Sequence, residues 1–182
     1  IEAFAGSDEP ILASCASCST HLATYPELFA NDPVWRKKAE KFSARIREFS
    51  SFLAPRSAGV TFRAGQRQTV HHHEPCHLRF DGEKKHGVDA ILARIGNITV
   101  AAPDDGPQCC GQGGLCHLDY PELSARIFAG AVESFQPLDA GIVVTTCSGC
   151  LMQWQSGLAV RHSPVRAVHL AVFLADCLDI DA

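Results

Sequence analysis

Five cysteines in a fixed order constrain this chain more than any other feature: Cys76, the adjacent pair Cys109–Cys110, then Cys147 and Cys150. Adjacent cysteines in a QCCGQGG stretch do not make an ordinary disulfide. Closing a ring between neighbours strains the backbone, and most bridges join distant residues. Two adjacent thiolates do suit a multi-iron cluster, where each can sit on a different metal. The later TTCSGC adds two more ligands about one helical turn apart. The pattern points to a metal site, iron–sulfur before any other, and so to electron-transfer or redox chemistry.

The remaining cysteines agree with a metal site. There are nine in 182 residues, an odd number that cannot pair fully within one chain. Their grouping into CxxC and CC suits metal ligation in a reducing cytosol better than extracellular bridges. Apolar residues make up 46% and charged residues 20%, as in a soluble globular protein long enough for one domain or one and a half. A net charge of −4 leaves no basic footprint for nucleic acid. The longest apolar runs, LDAGIVV and VHLAVFLA, are too short to insert into a membrane. No signal-peptide pattern opens the chain. A first residue Ile1 rather than Met leads us to expect a piece of something longer.

Along the chain, ILASCASCSTHLATYPELFA reads as a short buried strand, a cysteine turn and a helix. DPVWRKKAEKFSARIREFSSFLA reads as one long amphipathic helix, with Val34, Ala39, Phe42, Ile46, Phe49 and Leu53 at spacings of three to five. Asp32 is its expected N-cap and Pro33 its first residue. PRSAGVTFRAGQR, 55–67, reads as a connector or edge hairpin, and QTVHHHEPCHLRF as a strand ending in a cysteine turn. HGVDAILARIG is expected to be a helix closed by Gly96, followed by a strand in NITVAAP. Asp119 and Glu122 suggest a capping box for the helix YPELSARIFAGAVESFQ. AGIVVTT is a continuous apolar strand of the kind buried on both faces. CSGC then opens a helix, and SPVRAVHLAVFLADCLD reads as a closing helix.

Strands alternating with helices predict an α/β fold, a mostly parallel sheet flanked by helices with the cysteine loops at strand ends. In open sheets of this kind the carboxyl ends of the strands are where ligands bind. A weak internal repeat adds an organisation. LASCASCSTHL resembles VTTCSGCLMQW, and each is followed by a segment ending in FLA. The chain is thus expected to hold the C-terminal part of a first cysteine-rich repeat (1–54), a connector (55–69) and a complete second repeat (70–182).

Several alternatives stand beside the cluster. Zinc in an all-cysteine site normally uses two CxxC pairs, here Cys15/Cys18 with Cys147/Cys150, which leaves the CC pair without a role. A thioredoxin-like reading of strand–CSGC–helix explains only two of the nine cysteines. Gly111, Gly113 and Gly114 either let the backbone approach a cluster or simply make a tight turn. His77, directly after Cys76, is a candidate to bond a sulfur or replace a ligand. His71 to His73 are more often half-buried or solvated strand histidines. Cys116 and Cys177 fall outside the motif and read as small buried apolar residues, as do Trp35 and Trp154 on a larger scale. GQGG does not fit the strand-to-helix phosphate pattern.

The motif Cys76 in EPCHLR, Cys109–Cys110–Gly111 in CCGQGG and Cys147–Cys150 in TTCSGCLMQ resembles the CCG cysteine-rich domain of iron–sulfur oxidoreductases. Its spacings, 32 residues between Cys76 and Cys109 and 36 between Cys110 and Cys147, look normal for that family. The flanks, with YPELSARI, resemble the iron–sulfur subunits of glycolate oxidase and of lactate-utilisation systems. The B subunit of heterodisulfide reductase looks like a member of the same superfamily. The resemblance implies an iron–sulfur cluster, of 4Fe–4S type and cubane or non-cubane, held by Cys76, Cys109, Cys110, Cys147 and Cys150. Cys15, Cys18 and His77 are further candidates. It implies an electron-transfer module of a complex that oxidises a 2-hydroxy acid such as glycolate or lactate. A disulfide-reducing module or a zinc-stabilised interaction domain are the alternatives. Implied partners are a flavoprotein dehydrogenase and ferredoxin-like clusters. The implied location is the cytoplasm, with any membrane contact made through partners. Relatives of the glycolate type carry ferredoxin-like CxxCxxC motifs that this chain does not have.

Overall fold

The computed structural model describes residues 1–80 and 87–178. After a 3-10 turn at Glu2–Phe4, the first group of elements is β1 (Ile11–Ala13), α1 (Ala16–Ala23), α2 (Tyr25–Leu28), α3 (Pro33–Ser43), β2 (Ile46–Glu48) and α4 (Phe49–Leu53). The second group begins with β3 (Phe62–His72), α5 (Cys76–Arg79), α6 (Gly87–Leu92), β4 (Ile95–Ala101) and α7 (Cys116–Asp119). It ends with α8 (Pro121–Phe135), β5 (Ile142–Thr145), α9 (Ser148–Val160), β6 (Arg166–His169) and α10 (Leu170–Asp176).

The expected α/β fold is present. β1 and β2 form a two-stranded parallel sheet, and β4-β3-β5-β6 a four-stranded parallel one. The run at β5 is buried at all four residues because it lies inside the sheet with helices packed around it. Val143, Val144 and Val70 of neighbouring β3 have no exposed surface. The main core surrounds this sheet, and a smaller one gathers Ala13, Phe42 and Ile46 beside the short sheet. Among the described residues no helix is long and apolar enough to cross a membrane.

Five local expectations differ from the structure. The long helix over 32–54 is α3, then β2, then α4. Asp32 does cap α3, accepting from the N–H groups of Val34 and Trp35. Ile46, however, is buried because β2 pairs with β1, Ile46 opposite Ile11. The stretch at 55–67 contains the first half of β3, which runs parallel to β4 from Phe62 opposite Ile95. Gly96 is a strand residue, since β4 starts at Ile95. The closing segment is strand β6 before helix α10, because Arg166–His169 complete the sheet beside β5. In addition, Asp119 ends α7 and makes no capping box for α8, whose N-cap is Tyr120.

Two strand–cysteine–helix corners face each other. Cys15 caps α1 at φ −124°, ψ 124°, and Cys147 caps α9 at φ −125°, ψ 120°. Their partner strands end alike. Glu48 accepts at the start of α4 from Ser51 N–H, and His169 at the start of α10 from Ala171 N–H. Ala16 N–H donates to Thr146 O (2.9 Å), and His169 Nε2 donates to Ser14 O (2.7 Å). These bonds fasten the loop after β1 to the loop after β5. A peptide group bonded in this way cannot drift without leaving a polar group unpaired.

Candidate metal centre

Every motif cysteine follows the carboxyl end of a strand. Cys15 follows β1 and Cys76 follows β3. Cys109 and Cys110 lie in the loop after β4, and Cys147 follows β5. Parallel strands bring those ends to one edge. The structure gathers seven thiols there, Cys15, Cys18, Cys76, Cys109, Cys110, Cys147 and Cys150, around one cavity of about 400 Å³. None of them is in a disulfide. Cys15, Cys110, Cys147 and Cys150 are buried, whereas Cys18, Cys76 and Cys109 are exposed at the rim. All five expected ligands are therefore together, and the two earlier cysteines join them across the chain.

Contacts between sulfurs tie the site together. Cys15 Sγ lies 3.9 Å from Cys147 Sγ, across 132 residues of sequence. Ser148 N–H donates to Cys15 Sγ (3.4 Å), so the start of α9 also serves the sulfur at the start of α1. Ser17 Oγ sits 3.1 Å from Cys147 Sγ and 3.3 Å from His77 Nδ1. That nitrogen is 3.7 Å from Cys76 Sγ. Gly111 N–H donates to Cys109 Sγ (3.4 Å). His77 thus lies where the sequence placed it, against the sulfur of its neighbour.

Glycine is required at one point. Gly111 has φ +82°, and a Cβ there would lie 2.5 Å from Ser124 O, so the loop after the CC pair presses on α8. Gly149 lines the cavity between Cys147 and Cys150, and a Cβ there would come within 3.2 Å of Gln112 Cγ.

The sulfurs shift one another's pKa values in opposite directions. The thiol of Cys15 beside it, then that of Cys150, holds Cys147 far below the ordinary thiol range. Cys109 and then Cys150 do the same to Cys110, and the His73 ring adds to the effect. The donors move the other way. Cys15 is pushed up by Cys147 and by burial, Cys109 by Cys110 and burial, and Cys150 by Cys110, Cys147 and burial. Thiolates are the species that bind metal. Seven cysteine sulfurs around one cavity make a donor set suited to soft metals and to iron–sulfur clusters. Burial of four sulfurs in a largely apolar cavity, with further sulfurs at its mouth, fits a cluster.

Sequence reasoning passed over His73. It is 3% exposed, and its ring nitrogen and the sulfurs of Cys110 and Cys150 are mutually within 4.8 Å. Among the described residues this is the group of metal-ligating atoms that converges so tightly. The signal was weak: one of three consecutive histidines, three residues before Cys76. The proposed zinc quartet lines the same cavity, but Cys18 is exposed and outside that convergence. Cys177 is buried as expected and Cys116 is partly buried, both apart from the cavity lining. Trp154 is a core residue at 1% exposure. Trp35 is half-exposed and stacks on Phe29 instead (ring centroids 5.7 Å).

A parallel α/β sheet with a cysteine-lined cavity at its carboxyl edge defines a cysteine-rich α/β module. Residues 70–155, just under half of the chain, match the model of the CCG family, described as a cysteine-rich domain. Over nearly the whole chain there are curated relatives. Lactate utilization protein A of Exiguobacterium sp. (strain AT1b) is 27% identical over 183 residues, spanning 96% of this chain and 71% of that protein. Lactate utilization protein A of Bacillus subtilis (strain 168) is 27% identical over 179 residues, spanning 96% and 73%. The "Probable glycolate oxidase iron-sulfur subunit" of the same organism is 27% identical over 180 residues, spanning 97% of this chain and 40% of that protein.

Proposed function

We propose that this chain is an iron–sulfur electron-transfer module of an oxidoreductase that acts on a 2-hydroxy acid such as lactate or glycolate. The observation that carries the reading is the convergence of seven free cysteines from four separate segments on one cavity. The names of the relatives supply the metabolic direction. Cys76, Cys109, Cys110, Cys147 and Cys150 are the ligands in this account, with Cys15, Cys18 and His77 beside them. Five thiolates suit a 4Fe–4S cluster with one spare or bridging sulfur, so a non-cubane form is within reach of this donor set. When bound, the cluster supplies a one-electron couple.

The protein's own residues hold and insulate that centre. The buried sulfurs keep one side dry, and the rim cysteines leave the other open to a redox partner. The partners in this reading are a flavoprotein dehydrogenase subunit and ferredoxin-like clusters, in the cytoplasm. Residues 1–54 are read as the C-terminal part of a first repeat, 55–69 as a connector and 70–182 as a complete second repeat. The matching backbone angles at Cys15 and Cys147 support that division.

The test is anaerobic loading with iron and sulfide, followed by stepwise reduction. The expected result is a broad visible band that bleaches with dithionite and returns on reoxidation. A protein that takes up iron yet never cycles contradicts the electron-transfer role.

A further inference from the structure

His73 has no role in the function proposed above, yet its position is unusual for a core histidine. Its backbone N–H donates to Val144 O (2.9 Å), which carries the β3–β5 ladder one residue past the end of β3. Its ring meets Trp154 edge-on, with centroids 5.5 Å apart at 65°. Backbone and ring are therefore both fixed. One ring nitrogen and the sulfurs of Cys110 and Cys150, which are themselves buried, all lie within 4.8 Å of one another. A core histidine satisfied only for its own sake usually bonds a backbone carbonyl, as His71 does to Ala101 O (3.2 Å).

We propose, on the reading that the cavity holds an iron–sulfur cluster, that His73 is a positioning residue whose ring N–H donates to the Cys110–Cys150 sulfur pair and raises the cluster's reduction potential. Hydrogen bonds to ligand sulfurs are among the features that set such potentials. A donor aimed at sulfur stabilises the added negative charge of the reduced cluster, and burial strengthens that effect. One electron enters the cluster on reduction, and no bond to His73 forms or breaks. A role as donor fits better than a role as ligand. Seven thiols already line the cavity, whereas four suffice for a cubane.

The test is a potentiometric titration of the anaerobically loaded protein, followed by visible absorbance and EPR, in the wild type, His73→Phe and His73→Gln. Phe keeps an aromatic ring against Trp154 and removes the donor, whereas Gln keeps a donor. The expected result is a more negative midpoint potential in His73→Phe at unchanged iron and sulfide content, with part of the shift recovered in His73→Gln. An unshifted potential in a fully loaded His73→Phe protein overturns the proposal and leaves the cluster reading intact. Loss of iron from a folded His73→Phe protein also overturns it, because His73 is then a ligand. Should the variant fail to fold, the question passes to pulsed EPR of ¹⁵N-histidine-labelled protein that keeps His73. His77→Ala and His117→Ala are included in that protein because both rings line the cavity. A weak ¹⁵N coupling is expected, and either no coupling or the large coupling of a direct ligand overturns the proposal. A wild-type protein with no iron, or with zinc in its place, overturns the cluster reading and this proposal together.

Discussion

Neighbouring thiols lower the pKa of Cys147 from the ordinary thiol value. Cys15 and Cys150 point thiols at it, and burial alone would have pushed it the other way. The same arrangement recurs at Cys110, where Cys109 and Cys150 lower the pKa. His71 shows burial acting without such help. Desolvation lowers its pKa to about 4 from 6.5. The folded state therefore binds fewer protons than the unfolded chain between those values. Stability from this group is full above about pH 6.5 and falls as the pH drops towards 4, by about 3 kcal/mol in total. Denaturant midpoints of wild type and His71→Gln across that window check it. The wild type should lose more stability than the variant, and parallel curves would contradict the assignment. Gly111→Ala is expected to cost at least about 2 kcal/mol, since it combines a left-handed φ with a backbone clash at Ser124. It should also lower metal content, because the loop it distorts carries Cys109 and Cys110. Thermal unfolding and iron content read the two effects separately.

At the scale of elements, the site depends on helices α8 and α9 holding their places behind the sheet. Phe128 of α8 lies against Gly157 of α9, where a Cβ would come within 2.7 Å of three ring carbons. The same ring meets Trp154 edge-on at 5.1 Å. Gly157→Ala should therefore force the helices apart and cost about 1–3 kcal/mol despite improved helix propensity. A gain in melting temperature would show that the packing is looser than described. Elements were legible in the sequence where one signal stood alone. The unbroken apolar run of β5, the Asp32–Pro33 start of α3 and the strand–CSGC–helix corner all read correctly. β2 was hidden because Phe42, Ile46, Phe49 and Leu53 keep a helix-like spacing across three different elements. A three-residue strand is too short to show its own alternation. β6 was lost in the same way, as four residues run directly into α10.

At the scale of the whole molecule, topology makes the site. Parallel strands send every cysteine loop to one edge, and bonds such as Ala16 N–H to Thr146 O bring the first corner onto the second. The five motif cysteines were visible in sequence because their spacing is unusual. That Cys15 touches Cys147 was not, since 132 residues separate them and only the fold closes that distance. His73 was invisible for another reason. A histidine near a strand end is common, and only the positions of Cys110 and Cys150 give it a distinct neighbourhood. The most direct measurement is iron, sulfide and zinc content of anaerobically purified protein, compared with a Cys109→Ser, Cys110→Ser variant. About four irons with matching sulfide in the wild type, and loss of both in the variant, are the predicted result. Stoichiometric zinc without iron, unchanged in the variant, would contradict the account and assign the cavity to a structural site built from the two CxxC pairs.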